Sequence, residues 1–224
     1  MKIEEIGHII TPFKTKFGIP RQGGIANSIR ARLVFEPKYR SVEAVRGLGG
    51  FNYVWIIWGF SENEEREFSP TVRPPRLGGN KRVGVFATRS PFRPNRLGLS
   101  CLKLEKIEYD SSDGPVLILA GADMVNNTPV YDIKPYVPHA DLRPDAIGGF
   151  ADTIEDYILE VDFKECKGIL TKEEERCLIE ILREDPRPSY IENDERVYGF
   201  FFDKYEIKFT VGEKVLTVIE IREV

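Results

Sequence analysis

The chain has little of what most dedicated chemical centres are built from. Three cysteines and two histidines occur in 224 residues. Cys101, Cys166 and Cys177 form no C-x-x-C pair, so neither a disulfide framework nor a zinc site is expected, and a reducing cytoplasm fits. His8 and His139 stand apart from each other and from the cysteines, and no metal is expected. No apolar run approaches the ~20 residues of a membrane helix. The opening Met1-Lys2-Ile3-Glu4-Glu5 has no hydrophobic signal region, so export is not expected. No G-x-G-x-x-G follows a strand-like run, which removes the dinucleotide fingerprint. Internal repeats and low-complexity tracts are absent as well.

Hydrophobic residues make up 42% and charged residues 30%, the balance of a globular protein able to bury a core. The net charge of −4 argues weakly against a polyanion partner, but the average conceals a segregation. From Pro70 to Leu104 there is no acid, while Arg73, Arg76, Lys81, Arg82, Arg89, Arg93, Arg96 and Lys103 are all basic. Glu62, Glu64, Glu65 and Glu67 crowd together just before it. Such a pattern speaks of partners rather than of fold.

The first two-thirds reads as short strands separated by Gly/Pro turns. Strand-like runs cover residues 5–11, 29–35, 53–60, 83–88, 99–107 and 116–121, with a short helix at 41–45. Many short strands with few helical patterns predict a mainly β protein, a β-barrel over 1–150. A small α+β unit is expected over 151–224. Its signals are a strand at 157–161, the capping box Thr171-Lys172-Glu173-Glu174, and a helix with Cys177, Leu178, Ile181 and Leu182 at helical spacing. A strand trio follows at 198–202, 205–211 and 215–221.

The segment from Thr71 to Leu99 carries the most chemistry. Prolines stiffen it, glycines allow tight turns, and arginines on such a frame suit phosphates or carboxylates in bidentate geometry. A solvated basic loop is the plainer reading. Pro20-Arg21-Gln22 is a rigid corner presenting a guanidinium and an amide, either a ligand contact or a surface turn.

These segments resemble the TrmO family, also called TsaA-like. The resemblance is carried by Pro20-Arg21-Gln22, by the apolar run from Phe51 to Phe60, by the Arg/Pro/Gly segment just described, and by Asp123-Met124-Val125-Asn126-Asn127-Thr128-Pro129-Val130-Tyr131-Asp132-Ile133-Lys134-Pro135-Tyr136. It spans about residues 6–150 and continues weakly at 185–190 and 197–199. The resemblance implies a β-barrel that binds S-adenosylmethionine, a homodimer with the cofactor near the subunit interface, and N6-methylation of threonylcarbamoyl-adenosine at position 37 of a threonine tRNA. It implies cofactor contacts from Pro20, Arg21, Gln22, Ser61, Glu62, Arg89, Leu99, Asp123, Met124, Val125 and Asn126. Arg73, Arg76, Arg93 and Lys134 are candidate tRNA contacts, and Asp123 and Asp132 candidate proton acceptors.

Several positions stay open. Ser61-Glu62 stands where the family often has His-Gly, and Glu62 is either a ribose or amino-group acceptor or part of a solvated acidic loop. Leu99 is a pocket wall or a core leucine. Asp132 and Lys134 flank Ile133 as an ion pair or as substrate contacts. Asn126 and Asn127 replace the family's Asp and Gly; Asn127 can adopt the left-handed turn, whereas Asn126 lacks a charge. The alternatives to an enzyme are a non-catalytic S-adenosylmethionine sensor and an RNA-binding barrel without cofactor.

Overall fold

The computed structural model describes residues 2–62, 67–74, 77, 81–109, 112–153, 158–187 and 196–224. Arg76, Glu64, Glu65 and the Pro188-Ser189-Tyr190 stretch lie outside the described residues, as does the start of the strand expected at 157.

Among the described residues, eight strands precede residue 136: β1 (Gly7–Ile10), β2 (Arg30–Phe35), β3 (Tyr53–Gly59), β4 (Thr71–Val72), β5 (Val83–Gly84), β6 (Leu97–Glu108), β7 (Val116–Ala120) and β8 (Thr128–Pro135). Six close into an antiparallel barrel in the order β1-β2-β7-β6-β3-β8. Closure leaves no unpaired edge. The core follows from alternation: Ile9, Leu33, Val54, Ile56, Leu102, Leu117, Leu119 and Val130 point inward and are buried. β6 serves two partners, its first half pairing with β3 and its last with β7, across an irregularity near Leu104.

Two expectations need correction, and one element was not expected. The helix at 41–45 is a 3-10 turn, Val42–Val45, capped by the Ser41 hydroxyl. The strand expected at 83–88 ends at Gly84, and Val85–Ala87 form a 3-10 turn that places Arg89 on a loop. A helix not anticipated, α1 (Pro138–Asp141), follows β8, with Pro138 in its first turn.

The C-terminal unit holds β9 (Glu160–Asp162), α2 (Lys172–Leu182), β10 (Tyr198–Phe202), β11 (Tyr205–Gly212) and β12 (Val215–Glu223), with sheet order β10-β11-β12-β9. The capping box forms as read: Glu174 N donates to Thr171 Oγ1 at 3.3 Å, and Thr171 N donates to Glu174 Oε2 at 2.8 Å. Cys177, Leu178, Ile181 and Leu182 are all buried.

The core of this unit is completed from outside it. Phe13, Ala26 and Ile29, from the loop between β1 and β2, join its cluster. Phe17 stacks with Tyr198 and Phe209. Ser28 donates from N and Oγ to the Glu180 carboxylate of α2, at 2.7 and 2.6 Å. The 11–29 loop is therefore clasped between the barrel and the C-terminal sheet. Among the described residues, no helix is long and apolar enough to cross a membrane.

Candidate functional site

A buried polar chain runs from β3 through β6 to the loop after β7. Trp58 Nε1 donates to Ser100 Oγ at 3.0 Å, and Ser100 Oγ donates to Asp123 Oδ1 at 2.7 Å. Ser100 and Trp58 are buried, so each polar group depends on the next. Gly98 makes the arrangement possible: a Cβ there would lie 2.2 Å from the Trp58 ring. Burial pushes the Asp123 carboxyl up to about 6, against the opposing pull of Ser100, its own amide, the Gly23 amide and the Arg89 guanidinium.

Those opponents show what gathers here. The loop with Pro20, Arg21 and Gln22 crosses the same end of the barrel, because Gly24 N donates to the Gly121 carbonyl at 2.8 Å. Gly121 takes a positive φ of 83°, and a Cβ there would meet the Gly24 backbone at 2.9 Å. Arg89 donates to Gln22 Oε1, and Lys16 of the same loop donates to the Glu62 carbonyl. Gln22, Arg89 and Asp123 are thus brought together from three separate stretches of chain, and Glu62 is tied by its backbone to the same loop through Lys16.

Other expected site residues have more specific placements. Pro20 is buried under the loop, and the exposed Arg21 donates to the Asp185 carbonyl at 2.9 Å, tying the corner to the C-terminal unit. Ser61 and Glu62 are exposed. Met124 is buried in the barrel core, and Val125 is partly buried beside it. Asn126 accepts from Thr11 N at 3.0 Å and donates from its own N to the Phe13 carbonyl at 2.8 Å. Its side chain needs only an acceptor oxygen for this, so the missing charge costs the loop nothing. Asn127 has φ 62°, the left-handed turn expected of a glycine substitute.

Leu99 is 55% exposed, which settles it as an outward-facing residue and not a core leucine. It pairs with Ile57, and with Tyr53 and Trp55 it forms an apolar outer face on β3 and β6. Asp132 and Lys134 form an ion pair at 3.0 Å on the outward side of β8, with Ile133 facing the core between them. Asp132 lines a separate hollow of about 450 Å³ with Ile6, Phe35, Tyr39 and Leu48. Asp123 is not among the residues that line that hollow. Arg73 is exposed beyond β4, and Arg93 donates to the Thr88 carbonyl at 2.7 Å. Sequence reasoning missed Ser100, Trp58 and Gly23; the period-two pattern placed Ser100 inside the barrel, and a buried serine is the signal that asks for a partner.

Metal-capable side chains converge elsewhere: ligand atoms of Glu5, His8 and Glu36 lie within 4.8 Å of one another, with His8 Nδ1 3.5 Å from Glu36 Oε1.

The arrangement suits a small zwitterionic nucleoside. Arg89 offers a guanidinium to a carboxylate, Asp123 offers a carboxylate to an ammonium or to hydroxyls, and Gln22 and the loop amides offer hydrogen bonds to a base edge.

The chain is similar to known proteins over nearly its whole length. The model of the tRNA-methyltransferase O N-terminal domain matches residues 8–142, and that of the TrmO C-terminal domain matches 157–224. A tRNA (adenine(37)-N6)-methyltransferase of Escherichia coli is 39% identical over 221 residues, 95% of this chain and 94% of that protein. One from Eikenella corrodens is 45% identical over 172 residues, 76% and 96% of the two chains. A crystal structure of TrmO from Pseudomonas aeruginosa superposes with a TM-score of 0.77 at 30% identity, covering 99% of this chain and 98% of that one. With both domain models matched in order and nearly the whole length shared, the chain belongs to the TrmO family.

Proposed function

We propose that this protein is an S-adenosylmethionine-dependent tRNA methyltransferase acting on N6 of adenine 37. The observation that carries the reading is the convergence of Gln22, Arg89 and Asp123 at one end of the barrel, in a chain that matches both TrmO domains. The donor set fits the cofactor, which would supply an activated methyl group on a sulfonium. Pro20, Arg21, Gln22, Ser61, Glu62, Arg89, Leu99 and residues 123–126 are the proposed contacts, with Met124 and Asn126 acting from behind by fixing the loop.

The chain's own work is positioning and proton handling. Methyl transfer is an in-line displacement, and alignment of the nucleophile is the largest contribution a rigid site can make. The exocyclic nitrogen attacks well only as its proton leaves. Asp123 is ionised at neutral pH yet more basic than a free aspartate, which matches a proton acceptor. Asp132 is occupied by Lys134 and by its own Ile133 amide, so we assign the proton to Asp123. Arg73, Arg76, Arg93 and Lys134 are the proposed tRNA contacts.

The finer reading is that the target is threonylcarbamoyl-adenosine in a threonine tRNA, and that the enzyme works as a cytoplasmic homodimer. The outer face of Tyr53, Trp55, Ile57 and Leu99 supports the dimer, since a contiguous apolar strip on a barrel wall favours burial. Incubation of the protein with labelled cofactor and bulk tRNA tests the whole proposal. Label should appear in tRNA, and nucleoside mass analysis should place it on threonylcarbamoyl-adenosine. Retained but untransferred cofactor would point to a sensor instead, and no retained cofactor to a plain RNA-binding barrel.

A further inference from the structure

We propose that Phe68 and Phe86 form a stacking platform for unpaired nucleobases of the RNA substrate, beside the Asp123 site. The two rings lie on opposite flanks of the basic arm. β4 and β5 pair at its base, and Val85 N donates to the Pro70 carbonyl at 2.9 Å, so the residues on either side of the arm are held together. The rings stack at 6.4 Å between centroids with 28° between planes. Both face solvent: Phe86 is 71% exposed and Phe68 56%. The fold gains little from two phenylalanines so placed, and aromatic pairs left in water commonly mark a binding surface.

The surrounding charge selects the occupant. No acidic side chain occurs between Pro70 and Leu104, and Arg73, Lys81 and Arg82 are exposed on the arm. Arg93 places its guanidinium carbon 5.7 Å from the Phe86 centroid, adding a cation to the aromatic surface. An aromatic platform with Arg93 over one ring, at the foot of a basic arm, matches single-stranded nucleic acid, whose bases stack while its phosphates pair with arginine. Position completes the case. Arg89 lies three residues beyond Phe86, and its guanidinium is held by Gln22 next to Asp123. Bases splayed on Phe86 would therefore flank the one presented for methylation. The platform rests on the tRNA-methylating reading and adds the residues that grip the loop.

The test uses the full-length protein, unmodified anticodon-loop RNA and whole tRNA. Phe86→Ala, Phe68→Ala and Phe86→Trp are compared with wild type for RNA affinity across a salt series, cofactor affinity and sedimentation. Phe86→Ala should weaken RNA binding by about 5- to 100-fold, the range for loss of one stacked base. The slope of log affinity against log salt should stay at its wild-type value, because no phosphate contact is removed. Cofactor affinity should not change, and Phe86→Trp should bind RNA at least as well as wild type. Wild-type RNA affinity in Phe86→Ala overturns the platform, as does a dimer that becomes monomeric in that variant, which would assign the rings to a second copy. Wild-type protein that methylates tRNA while Phe86→Ala behaves identically removes the platform alone. Wild-type protein that transfers no methyl group removes the tRNA reading together with it.

Discussion

Asp123 shows how one residue's surroundings set its chemistry. Its carboxyl is raised to about 6 by burial, while Ser100, Gly23 and Arg89 limit the rise. Between about pH 4 and 6 the folded protein thus binds more protons than the unfolded chain, so stability falls as pH rises through that window. The elevation from 3.8 corresponds to about 3 kcal/mol once the group is ionised in both states. Asp123→Asn removes this charge and keeps an acceptor for Ser100. Urea unfolding should find the variant about 2 kcal/mol more stable than wild type at pH 8, with the gap closing towards pH 4. Methyl transfer should behave oppositely. The wild-type rate should rise with pH through about 6, and Asp123→Asn should lose both that limb and most activity. A variant as active as wild type would remove Asp123 from the chemistry. Ser100→Ala is the companion change: it strands the Trp58 indole N–H and should cost about 2 kcal/mol. It also removes a hydrogen bond that lowers the Asp123 pKa, so the acidic limb should move to higher pH.

At the scale of elements, the loop between β1 and β2 owes its shape to α2. Glu180 accepts from both Ser28 N and Ser28 Oγ, and Cys177 Sγ lies 3.3 Å from the Ser28 carbonyl. These contacts hold the same loop that carries Gln22. Glu180→Ala should cost about 2 kcal/mol through loss of charge-assisted hydrogen bonds. It should also raise the KM for the cofactor several-fold more than it lowers kcat, because the loop is loosened and the reacting groups are untouched. Glu180→Gln, which keeps one acceptor for the Ser28 amide and offers an N–H to the Ser28 hydroxyl, should restore much of both. Equal losses of kcat and cofactor affinity would argue that α2 acts only on overall stability. Arg89 belongs to the same loop system through Gln22, whereas Arg73 projects from the arm. Arg89→Ala should therefore weaken cofactor binding more than tRNA binding, and Arg73→Ala the reverse, with calorimetry and gel shifts on the same proteins as the check.

Over the whole molecule, a net charge of −4 and the proposed polyanionic substrate are reconciled by segregation. The acid-free stretch from Pro70 to Leu104 is where phosphates can be held, and each one neutralised releases counterion. The slope of log tRNA affinity against log salt should be about −2 to −5, and replacing Arg73, Arg76 and Arg93 together should flatten it by about two. A near-zero wild-type slope would place tRNA elsewhere. Assembly is the second property at this scale. The strip of Tyr53, Trp55, Ile57 and Leu99 should bury against its counterpart, giving a particle of twice the 25.6 kDa chain mass in sedimentation. Leu99→Glu should shift it to monomer. A wild-type monomer at micromolar concentration would remove the dimer.

Much of the architecture was legible before any coordinates, because it is written in local patterns. Alternating apolar residues marked which face of β2 is buried, and the Thr171–Glu174 box marked the start of α2. Asn127 at a left-handed turn follows from a side chain that tolerates positive φ. The pattern misled where it was short: Val83 to Thr88 has strand composition, yet pairing stops after two residues and the chain turns before Arg89. The site was half legible. Its segments could be named one by one, but their meeting could not, because Gln22, Arg89, Ser100 and Asp123 touch only after barrel closure. The clasp of Ser28 by Glu180 across 152 positions likewise depends on register and packing. Periodicity and capping act within a few residues, so the sequence by itself determined the elements and their inward faces. Hydrogen bonds between distant segments and the burial that shifts a pKa exist only in the assembled barrel, so tertiary structure alone decided which carboxylate became the basic one.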